Sequence, residues 1–334
     1  MNRISTLWPA IESTALRLGA MRAGVSGVED LHAGLFDEWI AAGRHASMNY
    51  LAKNRETRRS PLDRFPWARS VVVITVPYSP ERVAQRGDAI GSRIARYALG
   101  DDYHDVLDRM LRDIEEVIRS HAPDTMTRRY VDTGPLSDRA YGSQAGLGWI
   151  GKNGMLIDEE KGSYFFIGTL LTSLENDLTP ATVADRCGAC TRCLDACPTV
   201  AILPDRTVDS TRCLSHANIE LRGPIPDSIK ERLGGNLFGC DICQEVCPWN
   251  EAPALPHPAF LPREEYSATP VTDLLRADQT AFSSLFRKSA IKRAKHAGIV
   301  RNAVIVTRTA EAPDSPVAND PGVADALEWA RGKK

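Results

Sequence analysis

The sequence predicts an α+β protein in three parts: a mixed α/β domain over residues 1–176, a loop-rich cysteine domain over 177–262, and a short helical segment over 263–334. In the first part, helical and strand patterns mix without a regular βαβ alternation. All eight cysteines of the chain fall in the second part. From residue 271 the apolar spacing is helical again, which predicts helices in the third part.

The composition is that of an ordinary globular protein, with 43% hydrophobic and 25% charged residues in 334. This length favours two or three structural units. The formal net charge is −2, so a nucleic-acid partner would need a local basic patch. The N-terminus has neither a signal peptide nor a twin-arginine leader, and no apolar run reaches membrane-spanning length. We therefore expect a cytoplasmic monomer that does not bind membranes.

The first 80 residues predict two helices and one buried strand. Apolar residues at helical spacing indicate a helix over 7–20, and a second helix is expected within 36–54. The basic stretch 55–61 is expected to form a turn. The run Ser-Val-Val-Val-Ile-Thr-Val over 70–76 is typical of a strand that is buried on both faces.

A long amphipathic helix is predicted next, with the acidic residue Asp102 near its start, where a helix favours negative charge. The segment 128–132 predicts a strand that ends in a turn, and Ser137 and Asp138 are expected to form the cap of a following helix. Two further apolar stretches, 155–157 and 164–171, predict strands joined as a hairpin.

The cysteines provide the strongest signal. Residues 187–197 follow the C-x2-C-x2-C-x3-C spacing of one half of a bacterial ferredoxin, with a proline next. In that pattern three thiolates bind one [4Fe–4S] cluster and the fourth binds the other cluster. The second run, 240–247, keeps only C-x2-C-x3-C, and Leu237 stands where its first ligand is missing. We therefore expect Cys213 to replace that ligand.

With this replacement, eight thiolates serve two four-ligand clusters in a ferredoxin-like domain. One predicted cluster is bound by Cys187, Cys190, Cys193 and Cys247. The other is bound by Cys197, Cys213, Cys240 and Cys243. Disulfides suit short secreted chains better, and zinc ribbons favour paired C-x2-C knuckles over a triple followed by Cys-Pro.

Two other patterns are less specific. Residues 146–151 match G-x-G-x-x-G, but a helical stretch precedes them and a strand follows, the reverse of a dinucleotide-binding fingerprint. We interpret these glycines as positions where the backbone approaches a flat ligand or a neighbouring element closely. Near the C-terminus, Lys288, Lys292 and Lys295 are spaced to share one helix face, and the positive surface is extended by Arg287, Arg293 and Arg301. A solvated helix face and a phosphate-backbone contact both remain open.

Several longer blocks carry a family resemblance. These are VDTGPLSDRA, GLGWIGKN, SYFFIGTLLT, DACPTVAI, IELRGPIP, GCDICQEVCPWN and SAIKRAKHAGIVRNA. Together with the cysteine framework they resemble the epoxyqueuosine reductases over roughly residues 45–305. The resemblance implies a cobalamin in the first domain beside two [4Fe–4S] clusters, and reduction of epoxyqueuosine to queuosine at the wobble position of tRNA. It also implies the tRNA anticodon stem-loop as partner and a low-potential electron donor.

Within this resemblance Asp132 is the expected proton donor. It ends the predicted strand at a Thr-Gly-Pro turn, where a side chain can face a pocket. Enclosure by apolar surface would help a carboxyl group to keep its proton near neutral pH. The alternative is an Asx turn, in which the carboxylate bonds the following backbone. Asp138 competes for the role, but helix capping explains it more simply.

The resemblance further implies cobalamin contacts, with purely structural roles equally open. The residues concerned are Arg58, Asp132, Lys152, Asn153, Ile157 and Gly168. The sequence Asp102-Tyr103-His104 resembles the start of a D-x-H-x-x-G cobalamin motif, but Leu107 occupies the glycine position. This departure argues against histidine ligation of the cobalt.

Three other functions remain as alternatives. A ferredoxin-type electron-transfer protein would need no site for chemistry. A corrinoid-dependent reductive dehalogenase would combine the same cofactors, but such enzymes typically carry a twin-arginine leader. A tRNA-binding protein could use its clusters only as structural staples. The reductase is favoured because its motifs run through most of the chain.

Overall fold

The computed structural model of the chain describes residues 3–29, 33–78, 88–180, 182–311 and 313–332. Its strands are β1 (Arg22–Ser26), β2 (Ser70–Pro77), β3 (Thr127–Tyr130), β4 (Trp149–Ile150), β5 (Leu156–Ile157) and β6 (Phe165–Thr172). The helices up to β6 are α1 (Ile4–Arg17), α2 (Ala33–Ala41), α3 (Asn49–Lys53), α4 (Arg55–Arg59), α5 (Pro61–Arg64), α6 (Tyr103–His121) and α7 (Asp138–Gln144). Those after it are α8 (Arg192–Ala196), α9 (Asp227–Lys230), α10 (Ile242–Glu245), α11 (Glu264–Ala268), α12 (Gln279–Leu285), α13 (Lys295–Thr307) and α14 (Pro321–Arg331). Mixed α and β elements therefore precede the cysteines and helices follow them, as predicted.

An antiparallel sheet of order β1-β2-β6-β3 forms the centre of the N-terminal part. Every residue of β2 is buried, which confirms the predicted two-faced strand. On one side of the sheet Ile74 packs in a hydrophobic layer with Leu107 of α6. On the other side Val73 packs in a second layer with Tyr141 of α7. Burying one such aliphatic side chain contributes about 1.5–3 kcal/mol to folding. Because β2 buries side chains on both faces, it stabilises both hydrophobic layers.

The predicted hairpin is confirmed at its turn, where Asp158 and Gly162 form an isolated antiparallel bridge, but its two strands do not pair with each other. β5 pairs with β4, and β6 lies between β2 and β3 in the main sheet. A local pattern favours the nearest partner in sequence, whereas β6 buries more apolar surface between strands that are distant in sequence.

The long helix α6 begins where the acidic start predicted it. Asp102 is its N-cap, and the carboxylate accepts a hydrogen bond from the backbone N–H of His104 at 3.1 Å. Such a cap is worth about 1 kcal/mol. The basic stretch 55–61 is not a turn as predicted, because residues 55–59 form α4 and Pro61 opens α5.

Short helices and loops carry the cysteines. α8 packs against α10, and a π-helical turn over His216–Glu220 lies between the two cysteine runs. Among the described helices none is both long enough and apolar enough to cross a membrane.

A hydrophobic cluster joins distant parts of the chain beyond the first sheet. It includes Ile94 and Leu99, which precede α6, with Phe238 beside Cys240 and Ile299 of α13. A further cluster packs α13 against α14, with Val304 and Trp329 among its members. The boundaries at residues 176 and 262 stay predictions, since the first of these clusters draws on all three parts.

Candidate functional site

The first group of cysteines lies on the exposed side of the cysteine region. Burial raises the pKa of the Cys247 thiol, and the neighbouring Cys187 and Cys190 raise it further. Burial likewise raises the pKa of Cys193, with Cys247 the largest charge effect. Cys190 is exposed to solvent. The structure thus brings together the four cysteines predicted for one cluster.

The second group is more deeply buried. Burial raises the pKa of the Cys213 thiol, and Cys197 raises it further. Burial also raises the pKa of Cys240 to about 12, with Cys213 and Cys197 as neighbouring charges. The pKa of Cys243 is raised by burial first and then by Cys240 and Cys213. Cys213 therefore lies beside the cysteines of the second run, where the sequence leaves a ligand position vacant.

Both groups fit four-iron clusters in ligand chemistry, as each offers four thiols. Among the described residues, no three His, Cys, Asp or Glu side chains are placed to hold one metal ion. A zinc ion draws its four thiolates to about 2.3 Å from a common centre, whereas a cube spreads its ligands over separate irons. The number and chemistry of the thiols in each group therefore agree with the ligand sets predicted from the cysteine spacing.

The turn between β4 and β5 is fastened to both cysteine groups. Lys152 Nζ donates to the carbonyls of Gly188 and Cys190 at 2.7 and 2.9 Å. Asn153 is buried, and its Nδ2 donates to the Cys243 carbonyl at 3.4 Å. These contacts place Lys152 and Asn153 against the cysteine loops and help to hold the loops in place, while their contact with cobalamin stays a prediction.

The glycines before this turn have the role expected from close backbone approach. A Cβ on Gly148 would lie 2.1 Å from the Ile157 carbonyl oxygen, and Gly148 has φ +151°. On Gly151 it would meet the Ile157 side chain at 2.4 Å. With α7 before these glycines and β4 between Gly148 and Gly151, the context is not that of a dinucleotide fingerprint, in which a strand precedes the glycines and a helix follows. Ile157 also lines a cavity of about 290 Å³ that reaches Cys187 and Cys247.

Asp132 lies in the turn that follows β3, with φ +56°. A left-handed conformation is strained for a residue with a side chain, though Asp tolerates it better than most. Arg58 of α4 holds the turn, donating to the carbonyls of Leu136 at 2.6 Å and Gly134 at 2.9 Å. Arg58, predicted as a cobalamin contact, thus positions the turn that carries the predicted acid.

The carboxylate of Asp132 projects from this turn, with its side chain 69% exposed. Its Oδ2 accepts a hydrogen bond from the Tyr103 hydroxyl at 2.7 Å. The Nε2 of His104 lies 3.9 Å from the same oxygen. Asp132 thus sits over the first turn of α6 as a side chain that can reach a ligand.

Asp138 does not cap α7 as predicted. Its carboxylate accepts from the Thr169 hydroxyl at 3.2 Å and from the backbone N–H of Asp132. Burial, with the nearby Asp132 charge, raises the pKa of Asp138 to about 7, against the opposing effect of the Thr169 hydrogen bond. Asp138 therefore supports the Asp132 turn from below.

Aromatic rings line the space between Asp132 and the second cysteine group. Tyr103 stacks on Phe166, with 4.4 Å between ring centroids and 5° between planes. Tyr97 contacts both of these rings and Phe238, two residues before Cys240. Burial raises the pKa of Tyr97 and Tyr103 well above the usual value, so both hydroxyls stay protonated. The result is a mostly apolar wall with hydroxyl groups at its edge.

Beside this wall lies a backbone edge of β6. β3 ends at Tyr130 opposite Thr169, so among the described strands Phe165–Gly168 pair only with β2. Their other backbone edge lies beside the Asp132 turn. A Cβ on Gly168 would be 3.2 Å from Leu111 of α6, so helix packing explains this glycine. Only its backbone remains for the predicted cobalamin contact.

Four of the five predicted tRNA contacts are exposed, but they do not share one helix face. Lys288 precedes a 3₁₀ turn over Ala290–Ala294 that contains Lys292 and Arg293, and Lys295 begins α13. The backbone N–H of Asp102 donates to the Lys288 carbonyl at 2.9 Å, which fastens this segment beside the start of α6.

Arg293 has two anchors. Its guanidinium makes two hydrogen bonds to Glu220, each 2.7 Å long, and lies over the Tyr50 ring at 5.3 Å from the centroid. Asp132 is close enough to affect the pKa of both Tyr50 and Arg293. The half-exposed Tyr50 ring was missed in the sequence, because an isolated tyrosine in a short helix carries no motif.

The prediction for Arg301 is wrong. Its side chain is only 2% exposed, and it donates to the carbonyls of Ala217, Leu221 and Gly223. Helical spacing placed it among surface cations, but α13 is buried on nearly all sides. Arg301 instead fixes the backbone of the segment that carries Glu220.

Comparison with known families defines the class of protein first. Residues 186–250 match the family described as a 4Fe-4S double cluster binding domain. The chain is therefore an iron–sulfur protein with two [4Fe–4S] clusters, set against an α/β domain. Residues 58–133 match the family "Epoxyqueuosine reductase QueG, DUF1730". An epoxyqueuosine reductase of Cellulophaga algicola is 37% identical over 297 residues, covering 87% of this chain and 95% of the relative. The chain belongs to the epoxyqueuosine reductase family and is an oxidoreductase.

Solved structures agree with this assignment. An epoxyqueuosine reductase bound to an epoxyqueuosine-modified tRNA-Tyr stem loop superposes with a TM-score of 0.85 at 29% identity, covering 98% of this chain and 91% of that one. The Bacillus subtilis enzyme, described with its catalytic aspartate loop swung out of the active site, gives 0.83 at 28% identity, with 99% and 95% covered. These likenesses confirm the predicted fold class.

Proposed function

We propose that this chain reduces epoxyqueuosine to queuosine in tRNA, with Asp132 as the proton donor. The observation that carries the proposal is the position of Asp132 on an aromatic wall that leads to the second cysteine group, in a chain of this family. Deoxygenating the epoxide to an alkene consumes two electrons and two protons and releases the oxygen as water. The wall, the carboxyl group and the clusters supply a surface, a proton and electrons for this step.

The cysteine groups are proposed as the cluster ligands in the sets given above. Cys190 is exposed, so the first cluster would receive electrons singly from a low-potential donor. The second cluster, bound by the deeper cysteines, would lie nearer Tyr97 and the Asp132 turn. Electrons would thus enter at the surface and leave towards the aromatic wall.

Cobalamin is proposed as the group that lies on this wall. When bound, it would supply a reduced cobalt able to open a strained three-membered ring. The half-buried Tyr103, held from behind by Phe166, would provide apolar contact, and the backbone of Gly168 is available at the strand edge. Asp132 would hold a proton at its carboxyl group towards the substrate oxygen, and Arg58 would keep its turn in place. Placing the reactants in this geometry is itself a large part of the rate enhancement.

The anticodon stem-loop of tRNA would bind over the Asp132 opening. Lys288, Lys292 and Lys295 are exposed on a segment that is fastened beside α6, and they suit phosphate groups. The Tyr50 ring under the Arg293 guanidinium offers a surface on which an unpaired base can stack. A tRNA substrate agrees with the cytoplasm as the proposed location, and the working form is proposed to be a monomer.

The test is anaerobic turnover. Reconstituted protein, cobalamin and a low-potential reductant are mixed with epoxyqueuosine-bearing tRNA, and the digested nucleosides are analysed by mass. Loss of one oxygen atom is expected. An Asp132→Asn variant with the same iron and cobalamin content is expected to lose about 100-fold or more in rate. Absence of deoxygenated product with the fully loaded wild type would overturn the function, and undiminished turnover in Asp132→Asn would overturn the role of Asp132.

A further inference from the structure

The first turn of α6 carries a histidine–carboxylate pair directed at Asp132. His104 Nδ1 lies 2.7 Å from Asp102 Oδ1. The Asp102 carboxylate is fixed as the N-cap of α6, and the Asp102 backbone N–H is bonded to the Lys288 carbonyl. With Nδ1 held by Asp102, the other ring nitrogen is the one nearest Asp132 Oδ2, at 3.9 Å. The orientation of the ring is further fixed by stacking on Tyr103, with 4.0 Å between centroids.

We propose that His104, oriented by Asp102, returns a proton to Asp132 after Asp132 has protonated the substrate oxygen. This inference rests on the function proposed above and adds a second proton-transferring residue to it. The Nε2–H of the imidazolium gives its proton to the Asp132 carboxylate, and His104 becomes neutral. It then takes a proton from solvent, which reaches its 34% exposed side chain. No electrons move in this step, because the clusters and their donor supply both electrons of the reduction.

The charges around His104 favour its protonated form. Burial lowers the pKa of His104, but the hydrogen bond and charge of Asp102 outweigh it, with Asp132 and Asp105 adding to the effect, so the pKa is raised overall. Among the described groups that shift the pKa of His104 or Asp102, the only cation is Arg263, whose charge lowers the pKa of Asp102. A substantial protonated fraction near neutral pH is what a proton donor to a carboxylate needs.

Other groups around Asp132 are less suited to the transfer. Tyr103 is the direct hydrogen-bond donor, but burial raises the pKa of its hydroxyl well above the usual value, so it cannot release the proton. Asp138 accepts the backbone N–H of Asp132 and bonds Thr169, which directs its carboxylate beneath the turn. The distance from Nε2 to Oδ2 exceeds hydrogen-bond length by about 1 Å, which a small movement of the exposed Asp132 side chain or one bridging water covers.

The experiment compares His104→Gln with His121→Gln in cluster- and cobalamin-loaded protein. His121 ends the same helix about 25 Å away and touches nothing at the site. His104→Gln is expected to lower steady-state kcat at least about tenfold. The rate of a single turnover begun with protonated enzyme should change less than twofold, and His121→Gln should match the wild type. Wild-type kcat in His104→Gln would overturn the proposal.

Rescue by added imidazole and the pH profile of kcat distinguish proton transfer by His104 from a purely structural role of its side chain. Added imidazole should raise kcat of His104→Ala in proportion to its concentration and leave the wild type unchanged. Asp102→Asn keeps a competent helix cap, and it should move the fall in kcat at high pH to lower pH because His104 loses its charged partner. A loss of activity without imidazole rescue, or an unmoved profile in Asp102→Asn, overturns the relay. If the wild type makes no queuosine, the function itself fails instead.

Discussion

The Tyr103 hydroxyl donates a 2.7 Å hydrogen bond to Oδ2 of Asp132, linking the first turn of α6 to a turn that leaves the central sheet. This bond fixes the direction of the carboxyl group that the proposal places next to the substrate oxygen. A hydrogen bond to a charged group is worth about 1.5–3 kcal/mol. Tyr103→Phe is therefore expected to lower kcat about 10- to 100-fold, measured as queuosine formed per minute at saturating tRNA. Equal cobalamin and iron content must be shown first, and an unchanged kcat would contradict a role for this bond.

The ligand sets predict which cluster each cysteine variant loses. Cys247→Ala should leave about four irons per chain in place of about eight, and the lost electron paramagnetic resonance signal should be the one lost in Cys193→Ala. Cys213→Ala should remove the other signal. The measurement is iron analysis with spectra of the reduced protein, prepared anaerobically. Two intact clusters in Cys213→Ala would show that Cys213 is no ligand.

Exposed lysines of the C-terminal segment should act through phosphate groups. Lys292→Ala should weaken tRNA binding and reduce the slope of log Kd against log salt concentration by about one. Arg119→Ala is the matched control, because Arg119 is exposed near the far end of α6. Fluorescence anisotropy of a labelled stem-loop at several salt concentrations gives both quantities. The same slope in both variants would remove Lys292 from the interface.

Arg301→Met should destabilise the fold without changing the salt dependence of tRNA binding. Its loss leaves the buried carbonyls of Ala217, Leu221 and Gly223 short of a donor, at about 1–3 kcal/mol for each unsatisfied group. The free energy of unfolding in urea should fall by at least about 3 kcal/mol. Lys292→Met, on the exposed surface, should change it by less than about 0.5 kcal/mol. An unfolding curve for Arg301→Met that overlays the wild type would contradict the buried role.

Asp138 predicts a pH-dependent difference in stability. Its pKa in the folded protein is raised to about 7 by burial, above the value of an unfolded aspartate. Such a group favours folding in its protonated form, so its contribution is complete at low pH and is lost as pH rises towards and through 7. Asp138→Asn should therefore gain in Tm relative to the wild type between pH 5 and pH 8. A difference in Tm that stays constant over this range would show that Asp138 does not titrate as described.

The cysteine spacing predicted more of the site than any other feature, because thiolate geometry is fixed by the cluster and is recorded in local sequence. Even the displaced ligand Cys213 could be placed by counting ligand positions, and it lies beside Cys197 and Cys240. The buried strand β2 was equally predictable, since a continuous β-branched run has few other structural outcomes.

Features that depend on tertiary neighbours could not be predicted in this way. Strand β6 took β2 and β3 as partners instead of the adjacent β5, because burial in the main sheet outweighs proximity in sequence. Periodicity identified cations near α13 but could not show that Arg301 faces the interior. Lys152 and Asn153 were predicted only as cobalamin contacts. Their bonds to the cysteine loops depend on how the turn meets segments 36 and 90 residues away.

The hydrophobic cluster that joins Ile94 and Phe238 to Ile299 also constrains when the protein can mature. On the ribosome, the chain around Cys240 gains its supporting wall only after residues as far as Ala303 have left the exit tunnel. Insertion of the second cluster should therefore follow completion of the chain, and a released chain that ends at residue 262 should be cleaved near Phe238 by a protease to which the full chain is resistant. Synthesis and iron delivery would then be ordered by the packing of apolar side chains alone.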